Sequence, residues 1–340
     1  SLCVGGSVLK WFESYLIGRT QRVKILNSLS DIVDVTSSVV QGSHCGPILF
    51  SLFVNEIASN IDVDSCMYAD DFKASNKINS VADCINLQNN IDKIVEFSRN
   101  NGLVLNVAKC AIMTFTKRTS TAISYNYTID NQVLEKKECM RDLGVMFDKK
   151  LNFSAHIDKI SKKGRQMCGF IIRNSKHFKN YKTEVALYKS LARSHLEYAS
   201  EIWSSAANSN LNRVEQVQHS FIRYLARKYF KDSNFHIDYS HYEDLMKIEP
   251  IHQRRSLKDV SFVIKSFNGD TDSSSYLHLF NLHAPQRTFR EHTTFRPSTC
   301  NSVSNRLMRS FNEHVNDYDI LSSKYSKWRT KELIMKKKTN

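Results

Sequence analysis

No apolar stretch in this chain is long enough to cross a bilayer. The longest, Pro47 to Val54 (PILFSLFV), falls far short of the roughly 20 residues a span needs, so no membrane partner is expected. No basic-then-apolar leader opens the sequence, and nothing in it argues for secretion. The first residues, SLCVGGSVLKWF, lack an initiator methionine and run almost at once into a helical pattern, as expected of a chain cut from something longer. The eight cysteines (Cys3, Cys45, Cys66, Cys84, Cys110, Cys139, Cys168 and Cys300) include no C-x-x-C pair and no neighbouring histidine cluster. That argues against a zinc module and a disulfide framework and leaves buried thiols as the expectation. No internal repeat is present.

What remains is a globular composition, 41% hydrophobic and 24% charged over 340 residues, sufficient for two or three units with their own cores. Lys and Arg number 48 against 34 acids, a net charge of +14. Such an excess suits a polyanionic partner, because bound cations release counterions from phosphates; solubility is the rival explanation.

The pattern predicts a helix over 7–17, strands at Gln21–Leu26 and Ile32–Val40, and a helix opened by Pro47 and running to about Ile57. Asp62–Ala74 reads as two short strands around Ala69-Asp70-Asp71. Leu87, Ile91, Ile94 and Val95 share one helical face, giving an amphipathic helix over 79–101 that Asn101-Gly102 stops. Short strands fit Val104-Leu105, Ala111–Thr116 and Asp142–Phe147. Beyond 150 the pattern turns helical, with Ile157, Ile160, Gly164, Met167 and Ile171 in one register and Leu211, Val214, Val217, Phe221 and Leu225 in another. Residues 265–305 read as irregular, and the tail carries Lys336-Lys337-Lys338.

The chemistry concentrates at Tyr68-Ala69-Asp70-Asp71. Two consecutive carboxylates on a turn repel one another, and a divalent cation relieves the penalty; Mg²⁺ characteristically takes one or two carboxylates plus substrate phosphates. That suits two-metal phosphoryl transfer. Taken alone, the tetrapeptide fits a solvated Asp-Asp turn or helix cap better. Its context is more specific. Gln41-Gly42-Ser43 with Gly46-Pro47 stands upstream, between a strand and an apolar helix. Leu103-Val104-Leu105-Asn106 with Lys109-Cys110, then Leu143-Gly144-Val145, stand downstream.

The order and spacing of these four elements resemble the palm of reverse transcriptases of non-long-terminal-repeat (LINE-type) retrotransposons. The flanks WFESYLIGRTQRV and DLGVMFDKKLNFSAHIDKISKK are similar too, as are LYKSLARSHLEYASEIW and PIHQRR farther on. The resemblance implies an α+β fold: a partial right-hand polymerase palm of antiparallel strands with packed helices over 1–150, and a helical thumb over 151–250. Residues 251–340 stay unassigned. It implies an RNA-directed DNA polymerase that uses Mg²⁺ (or Mn²⁺), an RNA template, a DNA primer and deoxynucleoside triphosphates. Asp70 and Asp71 would be the catalytic metal ligands, with Tyr68 and Ala69 beside them beneath the primer end. Gln41, Gly42 and Ser43 would shape the template and nucleotide pocket, Lys109 would face the incoming triphosphate, and Leu143, Gly144 and Val145 would form the primer grip. Each has a plainer rival: Gly42 a turn, Gly144 a bulge, Lys109 a solvated lysine.

Two departures from the family pattern stand out. Val40 replaces a proline and Cys45 a leucine. A further catalytic aspartate, expected on an earlier strand, has no counterpart before Gln41; it, the fingers and an endonuclease are expected upstream in the same polyprotein. The isolated chain is therefore expected to polymerise poorly. A non-catalytic nucleic-acid-binding relic is the alternative, and another palm polymerase of maturase or telomerase type a further one. In the helical part, Lys159, Lys162, Lys163, Arg165, Arg173 and Lys176, then Arg213, Arg223, Arg227 and Lys228, are candidate phosphate contacts. Phe170, Tyr181, Tyr188, Trp203 and Tyr224 read as core. Nuclear access is implied by the family's lifestyle alone.

Overall fold

Short β-pairs and amphipathic helices alternate along the first part of the chain and helices dominate the rest in the computed structural model, which describes residues 5–40, 42–116, 123–232, 234, 236–283, 293–300, 302–315 and 320. The fold is α+β, in two compact units: Ser1–Ile112 with Arg118–Lys137, and Met113–Lys117 with Glu138–Asn340.

In the first unit, α1 (Gly6–Leu16) buries none of its residues. The two strand-like runs that follow are broken more finely than the pattern predicts. β1 (Arg19–Gln21) is followed by a small hairpin of β2 (Lys24–Ile25) and β3 (Ser28–Leu29), made possible by Leu26 at φ 53°, and β1 pairs antiparallel with β4 (Val33–Val35). α2 (Cys45–Ser59) holds Pro47 in its first turn, where a missing N–H costs nothing. β5 (Asp64–Tyr68) and β6 (Asp71–Ser75) form the expected hairpin. α3 (Val81–Asn100) starts at a reciprocal cap between Ser80 and Asp83 and stops at Asn101, with Gly102 at φ 66°. It buries Cys84, Leu87, Ile91 and Val95 against Tyr127, Ile129 and Leu134.

The predicted strand at Val104-Leu105 is absent: an irregular segment there leads into a 3₁₀ turn, Val107–Lys109. The next run shortens to β7 (Ala111–Ile112). β8 (Thr128–Ile129) and β9 (Gln132–Val133) close around Asp130-Asn131, both left-handed, the sign a two-residue hairpin turn favours. β10 (Glu135–Lys136) pairs with β7 in parallel, so not every strand pair is antiparallel as expected.

The second unit begins with a hairpin where one strand was predicted. β11 (Cys139–Asp142) and β12 (Val145–Asp148) reverse through Leu143 (φ 42°) and Gly144 (φ 91°). The Asp148 carboxylate then accepts the N–H groups of Lys150, Asn152 and Phe153 and sets the entry to α4 (Ser154–Asn174). α5 (Tyr181–Leu187) continues through a π turn at Tyr188–Ala192 into α6 (Arg193–Glu197) and, past a corner, α7 (Ser200–Trp203). α8 (Asn208–Phe230), α9 (Tyr239–Met246) and α10 (Ile251–Phe267) complete the bundle. Its core joins Ile157, Ile160 and Ile171 of α4 to Tyr188, Leu196, Trp203 and the Val214, Val217, Phe221 and Leu225 stripe of α8. A second core packs Val260, Val263 and Ile264 of α10 on Phe280, Phe295 and α11 (Val303–His314), so the region read as irregular is stapled by aromatics.

The expectation of buried thiols needs correcting. Of the cysteines described, Cys84 and Cys168 are buried, whereas Cys66, Cys139 and Cys300 are exposed. Cys3 and the lysines at 336–338 lie outside the described residues.

Candidate active site

The β5–β6 hairpin is held from beneath. Met67 and Phe72 pair across it and pack on Phe50, Val54 and Ile57 of α2 and on Ile94 and Phe97 of α3. The buried Asn90 of α3 accepts the Asp62 N–H at 2.8 Å, and Lys93 bonds the Asp62 carboxylate at 2.8 Å, fixing the entry to β5. Because strand side chains alternate, seating Met67 and Phe72 turns Tyr68 and Asp71 to the other face. Tyr68 and Asp71 are partners across the last register position, so Ala69-Asp70 is a two-residue loop. Ala69 sits at φ 53°, a conformation that costs a non-glycine residue on the order of 1 kcal/mol. Asp70 and Asp71 are both exposed, and Tyr68 is 63% exposed.

The donor chemistry of this loop fits Mg²⁺ or Mn²⁺. Two adjacent carboxylates are hard oxygen ligands, and such ions leave their other positions to water and substrate phosphates. Among the described residues, no cluster of three or more His, Cys, Asp or Glu able to hold a metal ion occurs.

The other sequence-predicted residues are placed as follows. Gln41 lies outside the described residues. Gly42 has φ 79° and no atom within 4 Å of where a Cβ would stand, leaving its backbone open to close approach. Ser43 is occupied internally: its Oγ donates to Val40 O and accepts the Gly46 N–H, both at 2.9 Å, tying down the start of α2. Lys109 ends the 3₁₀ turn with its side chain exposed. Leu143, Gly144 and Val145 belong to the second unit. Leu143 is exposed at the turn, but Val145 is only 2% exposed and packs in the bundle core, so its side chain is not a surface contact.

The basic helix residues separate into two kinds. Lys159, Lys162, Lys163, Arg165 and Arg173 all lie on exposed positions of α4, with Phe170 exposed among them. Lys228 is instead a structural cation, donating to Glu184 at 2.6 Å and to Ser175 O at 2.7 Å. Arg213 is engaged with Asp158, and Arg223 with the Tyr239 hydroxyl. Tyr188 and Trp203 are fully buried as expected, whereas Phe170 is 48% exposed.

Sequence reasoning passed over Tyr198 and His156. The Tyr198 hydroxyl donates to Leu143 O at 2.8 Å, and His156 Nδ1 accepts the Met146 N–H at 3.2 Å. Both hold the β11–β12 hairpin to the bundle. Tyr198 lies within the LEYASEIW segment already singled out, but nothing in a single sequence ties it to residue 143.

Residues 5–172 match the reverse transcriptase (RNA-dependent DNA polymerase) family. The RNA-directed DNA polymerase from mobile element jockey of Drosophila melanogaster is 29% identical over 224 residues, covering 62% of this chain and 24% of that protein. The probable RNA-directed DNA polymerases from transposon BS and from transposon X-element of the same species are 26% and 24% identical, over the same shares of each chain. The chain thus spans about a quarter of the length of these curated relatives. No solved structure matches it. Over residues 5–172 this chain is thus similar to the reverse transcriptase family, and the similar relatives are RNA-directed DNA polymerases of non-LTR mobile elements.

Proposed function

We propose that this chain is the catalytic-hairpin and thumb portion of an RNA-directed DNA polymerase that extends a DNA primer on an RNA template. The observation that carries this reading is the exposed Asp70-Asp71 pair at the tip of a hairpin anchored on α2 and α3. Asp70, from the turn, and Asp71, from the first position of β6, would hold the divalent cations. Bound Mg²⁺ (or Mn²⁺) supplies positive charge against the triphosphate and the attacking primer hydroxyl. Tyr68 offers an aromatic surface under the primer end. Gln41, Gly42 and Ser43 border the template and nucleotide pocket, where the open Gly42 backbone lets a base or sugar approach. Lys109 stabilises triphosphate charge, and Leu143-Gly144-Val145 grips the primer, Val145 through its backbone only. Residues 1–150 serve as part of a palm and 151–250 as a thumb, with fingers and an endonuclease supplied by the upstream polyprotein.

Chelation by two neighbouring carboxylates is directly testable. Mn²⁺ binding to the 340-residue chain, with primer–template and a deoxynucleoside triphosphate present, is read by electron paramagnetic resonance. Asp70→Asn and Asp71→Asn should each weaken it at least about 10-fold. Equal binding by all three proteins would remove the site. Primer extension by the isolated chain should be at background, because the family's further catalytic aspartate has no counterpart before Gln41 in this sequence. The same gap in the sequence favours the second reading, a nucleic-acid-binding relic. Strong Mg²⁺-dependent extension, abolished by Asp70→Ala, would refute both the expected deficiency and the relic.

A further inference from the structure

Two segments singled out in the sequence, LEYASEIW and PIHQRR, have no role in the reading above, and the structure joins them at one corner. Tyr198 stands between α6 and α7, its ring 54% exposed. Its hydroxyl donates to Leu143 O at 2.8 Å. Its ring lies flat enough on the turn that a Cβ added to Gly144 would meet Tyr198 Cε1 at 3.0 Å. Glycine is required there twice over, by φ 91° and by this contact.

The backbone at Tyr198 is fixed from both sides. Trp203, fully buried, donates its indole N–H to Tyr198 O at 2.8 Å, with Ala199 at φ 51° bending the chain between them. On the other side, Glu197 accepts Arg254 Nη2 at 3.0 Å and also Arg254 Nε, and its carbonyl accepts Lys258 Nζ at 2.7 Å. Arg255 lies over the Trp203 ring, 5.7 Å from its centroid. Arg254 and Arg255 are the last residues of PIHQRR, in the first turn of α10. An aromatic side chain left half in solvent, yet held this firmly through its main chain, suits a group that aims something else.

We infer that Tyr198 is a positioning residue for the Leu143-Gly144 turn, and that Arg254 and Arg255 act on that turn through the α6–α7 corner. This rests on the reading of Leu143-Gly144-Val145 as a grip on the primer end. Tyr198 sets where the Leu143 carbonyl and side chain meet the nucleic acid, and makes no chemical step itself. Removing its hydroxyl frees an exposed carbonyl that water can take over, so the fold should tolerate the loss while the turn wanders.

The test is fluorescence-anisotropy titration of the full 340-residue chain with two probes: a DNA primer recessed on an RNA template, and a blunt RNA–DNA hybrid of equal duplex length. Wild-type chain should prefer the recessed end. Tyr198→Phe should cut that preference by roughly 3- to 10-fold, the range of one lost hydrogen bond, with blunt-end affinity and melting midpoint unchanged. Tyr198→Ala should lose it entirely. If wild-type chain binds both probes alike, the grip reading fails and takes this inference with it. If wild type prefers the recessed end and Tyr198→Phe keeps the full preference, the inference alone fails. Equal weakening toward both probes would likewise overturn it, since that marks a general duplex contact.

Discussion

His156 is buried beside Trp203, its Nδ1 accepting the Met146 N–H while its Nε2 has no hydrogen-bond partner among the described residues. Burial, and to a lesser degree the neighbouring Lys159, pushes its pKa down from 6.5 to about 4. A protonated ring would have no lone pair for Met146, so the folded chain holds the neutral form. The unfolded chain takes up the proton near pH 6.5, and the folded chain only near 4. Stability from this residue is therefore complete above pH 6.5, falls as pH drops towards 4 and then levels off, a total on the order of 2–3 kcal/mol. Asp259 works in the opposite sense: burial, opposed by Arg306, raises its pKa from 3.8 to about 6, so the folded chain loses stability as pH rises from about 3.8 to 6. The two overlap in a single pH curve. Comparing urea unfolding of the wild type with His156→Asn, which keeps an acceptor and cannot titrate, isolates the histidine. The wild type should lose stability relative to the variant between pH 6.5 and 4.5; parallel curves would show that His156 already titrates freely. No sequence signal marks this histidine, because its role comes from Met146 and Trp203 closing over it.

At the scale of elements, α4 carries the bundle through one point of close approach. A Cβ on Gly164 would stand 2.6 Å from Leu196 Cδ2 and 3.2 Å from both Leu196 Cγ and Val217 Cγ1. Leu196 and Val217 are themselves fully buried, so neither can swing aside. Gly164→Ala should destabilise by about 1–3 kcal/mol through overpacking, despite the roughly 1 kcal/mol that alanine gains in helix propensity. A lower urea midpoint with unchanged slope is the expected measurement; an unchanged or raised midpoint would mean that α4, α6 and α8 are less tightly seated. Helix registers of this kind were legible, since Ile157, Ile160, Gly164 and Ile171 fall on one face and are buried there. So was the Asp70-Asp71 hairpin, where alternation places Met67 and Phe72 inward. The Leu143-Gly144 reversal was not: leucine at positive φ contradicts its own preference, and it is Tyr198, His156 and the buried Val145 that seat the hairpin. The parallel β7–β10 pair was equally hidden, because two-residue strands carry no period.

At the scale of the whole molecule, the net charge of +14 is a statement about distribution as well as sum. Composition counts Lys228, Arg213 and Arg223 as equals of the α4 cations, yet the first is committed to Glu184, the second to Asp158 and the third to Tyr239. Ion pairing across tens of residues depends on the helix packing, which no local pattern reveals. The α4 cations Lys159, Lys162 and Lys163 are exposed and available to phosphates, as are Arg165 and Arg173. Each phosphate contact they make should add about 0.9 to the slope of log affinity against log salt for duplex DNA. Binding of the full chain to an RNA–DNA hybrid, titrated from about 50 to 200 mM salt, should therefore be steep. Changing Lys159, Lys162 and Lys163 together to Gln should lower the slope by roughly 2–3 units, with no shift in the melting midpoint because none of the three is packed. Lys228→Gln should do the reverse, lowering the midpoint by stranding the buried Glu184 carboxylate while leaving the slope nearly intact. A slope that is flat in wild type, or unmoved by the triple change, would assign the duplex to a different face of the chain.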